Sequence, residues 1–224
     1  MVKKKLAHFA ENLTFTHLFQ NPYPDFTREF ILKGKWVTDY FQNDHPLIIE
    51  LGCGKGEYTV NLALQKAEKN FIGIDIKGAR LWKGCKMAQE MELKNVAFIR
   101  SRIEYIEYFF GKNEVDEIWL TFPDPQPQSN RKRKRLTSPL FLNRYKSFLK
   151  PGGIIHLKTD NEGLYQFTLK VIREENHQLL FASEDLYKLE QPHDATAIQT
   201  FYEAIYRKEE IPIKYIEFSL NHEG

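Results

Sequence analysis

The chain has 224 residues, 42% of them hydrophobic and 28% charged, which is typical of one globular domain with a sizeable core. Because the formal net charge is only +2, any affinity for nucleic acid must come from a local patch. Two cysteines exclude a disulfide framework, the histidines lack metal-ligand spacing, and no apolar run reaches the roughly 18 residues of a membrane span. We therefore expect a cytoplasmic protein without metal, membrane or obligate protein partner, either monomer or homodimer.

Residues 1–45 are mixed and aromatic, and Asn21-Pro22-Tyr23-Pro24 interrupts them. We interpret this segment as an N-terminal extension packed on a main domain of residues 46–224. In that domain, apolar runs predict strands at Leu47–Glu50, Phe71–Ile76, Val96–Ile99, Ile118–Phe122 and Ile154–Leu157. Helical spacing occurs between them, at Tyr58–Lys66, Gly78–Met91, Ile103–Phe110 and Ser138–Leu149.

This alternation predicts βαβ units and an α/β fold with a mostly parallel sheet. Gly152-Gly153 is expected to turn the chain into the fifth strand. Two β-rich runs follow, Gln178–Ala182 and Ile213–Leu220, with a helical segment near Ala195–Arg207 between them. Ligands of such sheets bind outside the carboxyl ends of the strands. That rule places a set of polar residues on one rim: Glu50–Gly56, Asp75, Arg102, Asp124 and Asp160.

A glycine-rich turn follows the first of these strands. Gly52, Gly54 and Gly56 alternate with Cys53 and Lys55, so the backbone can adopt positive φ and approach a ligand closely. Neither the dinucleotide pattern nor the P-loop pattern fits this spacing. Glu50, which precedes the glycines, is poorly suited to a pyrophosphate. It suits a ligand with an ammonium group, such as the methionine end of S-adenosylmethionine.

Asp75 ends the second strand, where a carboxylate can accept both hydroxyls of a ribose. By itself it is compatible with NAD as well as with S-adenosylmethionine. A tight turn with incidental carboxylates is the structural alternative. Glu50, Asp75 and the βαβ alternation together favour S-adenosylmethionine.

An apolar run ends in Pro123-Asp124-Pro125, which holds Asp124 on a stiff loop at the end of a strand. Five cations follow, from Arg131 to Arg135. An isolated basic run is often a solvated loop or a targeting signal. Because this run follows a rim aspartate, we interpret it as a grip on nucleic-acid phosphates, which positions the nucleic acid without reading its sequence.

Other residues remain open between two roles. Asp160, in Lys158-Thr159-Asp160-Asn161, can contact a base or ribose, or it can cap the helix after it. Thr200-Phe201-Tyr202-Glu203 has the pattern of an amphipathic helical turn. His156 alternates within a strand and is expected to be packed rather than catalytic.

The chain resembles the bacterial tRNA (guanine-N7-)-methyltransferase family over most of its length, from Lys33-Gly34-Lys35-Trp36 to Glu203. The Pro-Asp-Pro motif with a basic run after it is specific to that family, whereas the glycine loop is shared by methyltransferases in general. The matching motifs are Glu50–Gly56, Asp75, Phe122–Pro125, Arg135-Leu136-Thr137, Lys158–Asn161 and Thr200–Glu203.

The resemblance implies a Rossmann-like class I methyltransferase fold with a seven-stranded sheet, an extension that contacts the core or RNA, and methylation of a guanine in the tRNA variable loop. It implies that S-adenosylmethionine is bound by Glu50, Gly52, Gly54, Gly56, Asp75, Arg102 and Asp124. Asp124 is also the implied active-site residue. The tRNA would be bound by Gln128, Arg131, Arg133, Arg135, Asp160, Thr200, Phe201, Tyr202 and Glu203.

Three residues depart from the family pattern. Gln126 replaces a tryptophan, Gln128 replaces a substrate-binding lysine, and Arg102 replaces an acid near the adenine. Neighbouring arginines can substitute for the contact at Gln128. Methyltransferases often hold adenine partly through backbone groups, which reduces the consequence of Arg102.

Guanine N7 carries a free lone pair, so methylation there needs alignment and charge stabilisation more than a general base. We therefore expect Asp124 to hold the guanine. Two alternatives remain: an amino-directed methyltransferase and a non-catalytic RNA-binding protein with a vestigial cofactor loop. The first normally has a second adjacent proline and an aromatic ring where this chain has Gln126-Pro127.

Overall fold

The computed structural model describes residues 2–191 and 193–222, and these contain eight β-strands and six α-helices. The strands are β1 (Leu18–Gln20), β2 (Leu47–Leu51), β3 (Asn70–Asp75), β4 (Val96–Arg100), β5 (Val115–Thr121), β6 (Leu149–Thr159), β7 (Gln178–Ser183) and β8 (Lys214–Ser219). The helices are α1 (Val2–Glu11), α2 (Glu57–Gln65), α3 (Gly78–Glu90), α4 (Pro139–Tyr145), α5 (Glu162–Glu174) and α6 (Phe201–Lys208).

All strands form one sheet in the order β1-β4-β3-β2-β5-β6-β8-β7. Strands β1 to β6 pair in parallel, and β8 runs antiparallel between β6 and β7. The predicted mostly parallel α/β sheet is confirmed. The sheet has eight strands rather than seven because β1, from the N-terminal segment, pairs with β4. Three residues are too few to produce an alternating pattern in the sequence.

The sheet has a hydrophobic layer on each face, because successive strand residues point to opposite sides. In β2, Ile48 packs with α2 and α3, whereas Ile49 packs with α4 and α5. The N-terminal segment contributes to the second layer through Trp36, which is fully buried. The Trp36 indole donates a hydrogen bond to the Phe109 carbonyl at 2.9 Å.

Several elements differ from their predicted form. The helix expected at Ile103–Phe110 is a 3-10 helix over Ile103–Tyr108, and α4 ends four residues before the predicted Leu149. The turn expected at Gly152-Gly153 lies inside β6, where pairing steps from Val115–Leu149 to Glu117–Ile154 and the glycines bulge out of the ladder. A Cβ at Gly153 would meet the Leu149 side chain at 2.8 Å, so the bulge requires glycine there.

The parallel strands β2 to β6 bring their carboxyl ends to one edge of the sheet. Loops leaving this edge carry the glycine turn, Asp75, Ser101, Asp124 and Asp160. Over the described part of the chain, no helix is both long and apolar enough to span a membrane.

Candidate active site

A cavity of about 820 Å³ opens at the carboxyl edge of the sheet. It brings together residues predicted from six separate stretches of the sequence. The predicted site residues that line it are Glu50, Gly52, Gly54, Asp75, Arg102, Asp124, Asp160 and Thr200.

The glycine turn between β2 and α2 has the conformation that its composition predicts. Gly52, Gly54 and Gly56 have φ of 78°, 59° and 70°, where side chains with a Cβ are strained. A Cβ on Gly54 would meet no atom within 4 Å, so the backbone at this point faces open space. At Gly56 a Cβ would lie 2.6 Å from the Phe98 ring, so this glycine serves packing rather than ligand access.

Glu50 is almost completely buried at the end of β2, with 3% of its surface exposed. Its carboxylate accepts hydrogen bonds from the hydroxyls of Thr59, in α2, and Thr121, at the end of β5. Burial raises the pKa of Glu50, and the two hydroxyls partly offset this increase. The result is a partly desolvated carboxylate in the cavity wall, which favours a cationic ligand group.

Asp75 connects the end of β3 to the glycine turn. Its Oδ2 accepts the Gly54 N–H at 3.0 Å, and its Oδ1 accepts the Lys77 N–H at 2.7 Å. These bonds hold the carboxylate beside the open face of Gly54. Each oxygen retains acceptor capacity for a ligand hydroxyl.

Beyond β4, Ser101 and Arg102 line the same cavity. The Ser101 hydroxyl is buried and has no hydrogen-bond partner among the described residues. Arg102 is exposed, and its guanidinium lies 5.8 Å from the centre of the Tyr23 ring. A buried hydroxyl without a partner is a polar group that a bound ligand can satisfy.

Asp124 lies in an exposed loop after β5 and lines the cavity. Its Oδ1 accepts the backbone N–H of Gln126 at 3.0 Å. The loop begins at Phe122, whose N–H donates to the Lys158 carbonyl at 2.8 Å. Asp124 is thus fixed by the backbone after β5, on the other side of β2 from Asp75 at the end of β3.

The basic run forms a 3-10 helix over Ser129–Lys134. Arg131, Arg133 and the preceding Gln128 are exposed beside the cavity but do not line it. Arg135 differs from its neighbours because it is buried, and its guanidinium donates to the carbonyls of Pro125 and Gln126. The basic run predicted to bind phosphates therefore contains one arginine whose guanidinium is already hydrogen-bonded within the protein.

Asp160 lines the cavity at the end of β6. Of its two possible roles, the structure excludes the helix cap, because the Asn161 side chain accepts the Leu164 N–H and caps α5. His156 is packed, as expected: its ring stacks on Trp119 with centroids 4.1 Å apart.

The motif at the start of α6 is divided between surface and interior. Thr200 lines the cavity and caps α6, and the Glu203 side chain accepts a hydrogen bond from the Thr200 N–H. Glu203 is fully buried, with its Oε1 2.6 Å from Lys158 Nζ, so the structure does not bring it into the cavity. Phe201 and Tyr202 begin α6, and their side chains lie outside the described part of the structure.

Sequence reasoning missed residues that hold the predicted site residues in place, one of which, Thr121, also lines the cavity. Thr59 and Thr121 bind Glu50, and Lys158 holds Glu203. Thr121 comes close to Glu50 because β2 and β5 are neighbours, with Glu50 opposite Trp119. Strand order is not visible in a single sequence. Lys134 also lines the cavity, and its place in the basic run was the signal for it. No group of three or more His, Cys, Asp or Glu side chains in the described ranges could hold a metal ion.

A family model described as "Putative methyltransferase" matches residues 44–215. The tRNA (guanine-N(7)-)-methyltransferase of Christiangramia forsetii is 54% identical over 97% of this chain and 98% of its own length. The enzyme of that name from Bacteroides thetaiotaomicron is 47% identical over 100% of this chain and 88% of its own.

Among solved structures, the 16S rRNA methyltransferase KamB superposes with a TM-score of 0.62. It covers 84% of this chain and 94% of its own, at 12% sequence identity, so the likeness concerns the fold. The fold is that of the class I S-adenosylmethionine-dependent methyltransferases. Because it is 47% to 54% identical to these relatives over nearly its full length, the chain belongs to the tRNA (guanine-N(7)-)-methyltransferase family.

Proposed function

We propose that this protein transfers a methyl group from S-adenosylmethionine to N7 of a guanine in the variable loop of tRNA, in the cytoplasm. The observation that carries the proposal is that one cavity joins two carboxylates at a glycine turn to a second pair, Asp124 and Asp160, beside exposed cations. The names of the full-length relatives specify the same atom and the same class of RNA.

The residues of the glycine side fit S-adenosylmethionine. Glu50 is a desolvated carboxylate suited to the methionine ammonium, and Asp75 has acceptor capacity for the ribose hydroxyls. The unpartnered Ser101 hydroxyl, just after β4, lies where an adenine would need a polar partner. When bound, S-adenosylmethionine supplies a methyl group on a positively charged sulfur.

The opposite side of the cavity fits a guanine that needs no deprotonation at N7. Asp124 Oδ1 is engaged with Gln126, which leaves Asp124 Oδ2 as an acceptor for guanine N–H groups. Its negative charge also stabilises the positive charge that develops on the purine. We therefore assign Asp124 to holding the base and stabilising charge, not to removing a proton.

The exposed cations fit a phosphate backbone. Arg131, Lys132, Arg133 and Lys134 are all exposed, and none forms an ion pair with a carboxylate in the described ranges. Each cation that neutralises a phosphate releases a counterion, which makes the affinity salt-dependent. We infer that this surface holds the tRNA while Asp124 holds the target base.

The proposal is tested by incubating the protein with methyl-labelled S-adenosylmethionine and an unmodified tRNA transcript, followed by reduction and aniline treatment. Aniline splits the chain only at 7-methylguanosine, so scission in the variable loop identifies both atom and position. A transcript with adenine in place of the variable-loop guanine is the control. Label transfer without scission would favour the amino-directed alternative, and no transfer to any tRNA would overturn the proposal.

A non-catalytic RNA-binding protein is the alternative from another class. It predicts that the cavity has lost its ligand, so calorimetry with S-adenosylmethionine alone would detect no binding. The internal bonds of Glu50 and Asp75 favour a cavity that still binds it, since both carboxylates are held in position.

A further inference from the structure

The loop that carries Asp124 has an unusual backbone. Phe122 and Gln126, on either side of Asp124, have positive φ of 48° and 43° although neither is a glycine. Such conformations cost about 1 to 3 kcal/mol each and persist only where other contacts hold them. At the first end of the loop, the Phe122 N–H is bound to the Lys158 carbonyl. Pro123 and Pro125 have no N–H to donate within the loop. The carbonyls at the second end, those of Pro125 and Gln126, therefore need a donor from elsewhere in the protein.

Arg135 supplies that donor. Its Nε donates to the Pro125 carbonyl at 2.9 Å, and its Nη2 donates to the Gln126 carbonyl at 3.3 Å. The guanidinium also lies over the Phe167 ring, 4.4 Å from its centre. Only 7% of the surface of Arg135 is exposed. Its planar guanidinium donates hydrogen bonds to the loop from one edge, and one of its faces packs on the Phe167 ring.

A phosphate contact is the competing role for Arg135, since it is the last member of the basic run. That role needs donors that an incoming phosphate can reach. Arg131 and Arg133 meet this requirement because both are exposed on the 3-10 helix, whereas Arg135 follows the end of that helix and is buried. One basic run therefore contains two kinds of arginine.

We propose that Arg135 is a positioning residue for the methyl transfer, which fixes the conformation of the Asp124 loop without touching the RNA phosphates. The inference rests on the proposed function, because it assigns Arg135 to the alignment of the residue that holds the guanine. Misplacing a reacting group by about 1 Å can reduce the rate about 100-fold. Loss of the two carbonyl contacts should therefore act on turnover and not on RNA affinity.

The test compares Arg135→Lys, which keeps the charge but not the planar pair of donors, with Arg133→Ala, which removes an exposed charge. Arg135→Lys should lower kcat roughly 10- to 100-fold, with unchanged KM for tRNA, unchanged affinity for S-adenosylmethionine and an unchanged salt dependence of tRNA binding. Arg133→Ala should weaken tRNA binding and reduce its salt dependence, which Arg135→Lys should not do. Phe167→Leu, which removes only the ring beneath Arg135, should give a smaller loss of kcat in the same direction.

Hydrogen exchange at the Gln126 amide is a readout that does not require activity. That amide is bound to Asp124 Oδ1, so a loosened loop should exchange it faster in Arg135→Lys and not in Arg133→Ala. Three results for Arg135→Lys would each overturn the proposal. These are a wild-type kcat, an unchanged exchange rate at the Gln126 amide, and a loss of S-adenosylmethionine affinity as large as the loss of kcat. If the wild-type protein transfers no methyl group to tRNA, the proposed function fails, while the exchange experiment still decides the role of Arg135 in the loop.

Discussion

The two ends of the cavity are held together by different kinds of group. At the cofactor end, formed by Glu50, the glycine turn and Asp75, the carboxylates are held by backbone N–H groups and threonine hydroxyls. At the substrate end, formed by the Asp124 loop, Asp160 and Thr200, two long cationic side chains hold the backbone from the interior. Arg135 binds the carbonyls after Asp124, and Lys158 binds Glu203 and the carbonyls of Ala195 and Ile198.

This difference shows that residue type alone does not assign a role at the substrate end. Of the basic residues there, Arg131 and Arg133 are exposed, whereas Arg135 and Lys158 are buried and engaged. An exposed cation is available to phosphate, but a buried cation without its partners would be strongly destabilising. The comparison predicts that substitutions at the two ends separate into distinct effects on stability, turnover and cofactor affinity.

The largest effect is expected from Lys158→Met. This change leaves the Glu203 carboxylate and two carbonyls buried without their donor, and losing one partner of a buried pair costs about 3 to 5 kcal/mol. Urea unfolding should show that decrease in the free energy of unfolding. Tyr187→Phe is the matched control, because it removes the 2.7 Å hydroxyl contact with Glu203 but leaves the ion pair, and it should cost less, about 1.5 to 3 kcal/mol. A Lys158→Met protein as stable as Tyr187→Phe would contradict a structural role for the pair.

Asp124→Asn should have the next largest effect, and it should act on turnover. The change keeps the shape of the side chain but removes the charge that stabilises the methylated purine, so kcat should fall roughly 100- to 1000-fold. The affinity for S-adenosylmethionine, measured by calorimetry, should stay close to that of the wild type because Asp124 lies at the substrate end. Abolished cofactor binding in this variant would show that the two ends are not separate.

The cofactor end could be predicted from sequence to a greater extent than the substrate end. Glu50, the glycines and Asp75 occur at strand ends that the apolar runs already locate, and the glycine spacing reports a local backbone requirement. Thr121 could not be assigned, because its contact with Glu50 depends on β5 lying next to β2. Strand β1 was missed because its three residues pair only through tertiary contacts with β4.

At the substrate end, the predicted motifs lie at one edge of the sheet, but the division of their residues between surface and interior was not visible in the sequence. Arg133 and Arg135 are the same residue type two positions apart, and only the end of the 3-10 helix between them separates surface from interior. Glu203 was predicted as a substrate residue, whereas its side chain closes the capping box of α6 and binds Lys158. Burial of this kind arises from tertiary packing, which periodicity over a few residues does not encode.

A third prediction concerns Asp75→Asn. This change replaces the carboxylate that is held by the Gly54 and Lys77 N–H groups and that we propose accepts the ribose hydroxyls. Hydrogen bonds to a charged group contribute about 1.5 to 3 kcal/mol, so the affinity for S-adenosylmethionine should fall about 10- to 100-fold in calorimetry. The kcat at saturating cofactor should change little. Asp116→Asn is the control: Asp116 accepts the Leu47 N–H at 2.8 Å in the same way but does not line the cavity, so its substitution should leave cofactor affinity unchanged.

The smallest effect is expected from a change of pH on the affinity for S-adenosylmethionine. This pH dependence distinguishes Glu50, the buried carboxylate at the cofactor end, from the other carboxylates of the site. Burial raises the pKa of Glu50 in the free protein, and a bound ammonium group would lower it again. Binding therefore favours the ionised form, so affinity for S-adenosylmethionine should increase as pH rises through the raised pKa of Glu50 and then level off. The measurements stay below the pKa of about 7.7 to 8.0 at which an α-amino group loses its own charge.

Glu50→Gln identifies the source of this pH dependence. The amide cannot ionise, so the variant should bind S-adenosylmethionine more weakly and with an affinity that is constant over the same pH range. Calorimetry at several pH values, in buffers of different ionisation enthalpy, would also count the proton that Glu50 releases on binding. If Glu50→Gln retains the wild-type slope, the titrating group lies elsewhere, and the desolvated carboxylate of the cofactor end does not bind the ammonium group.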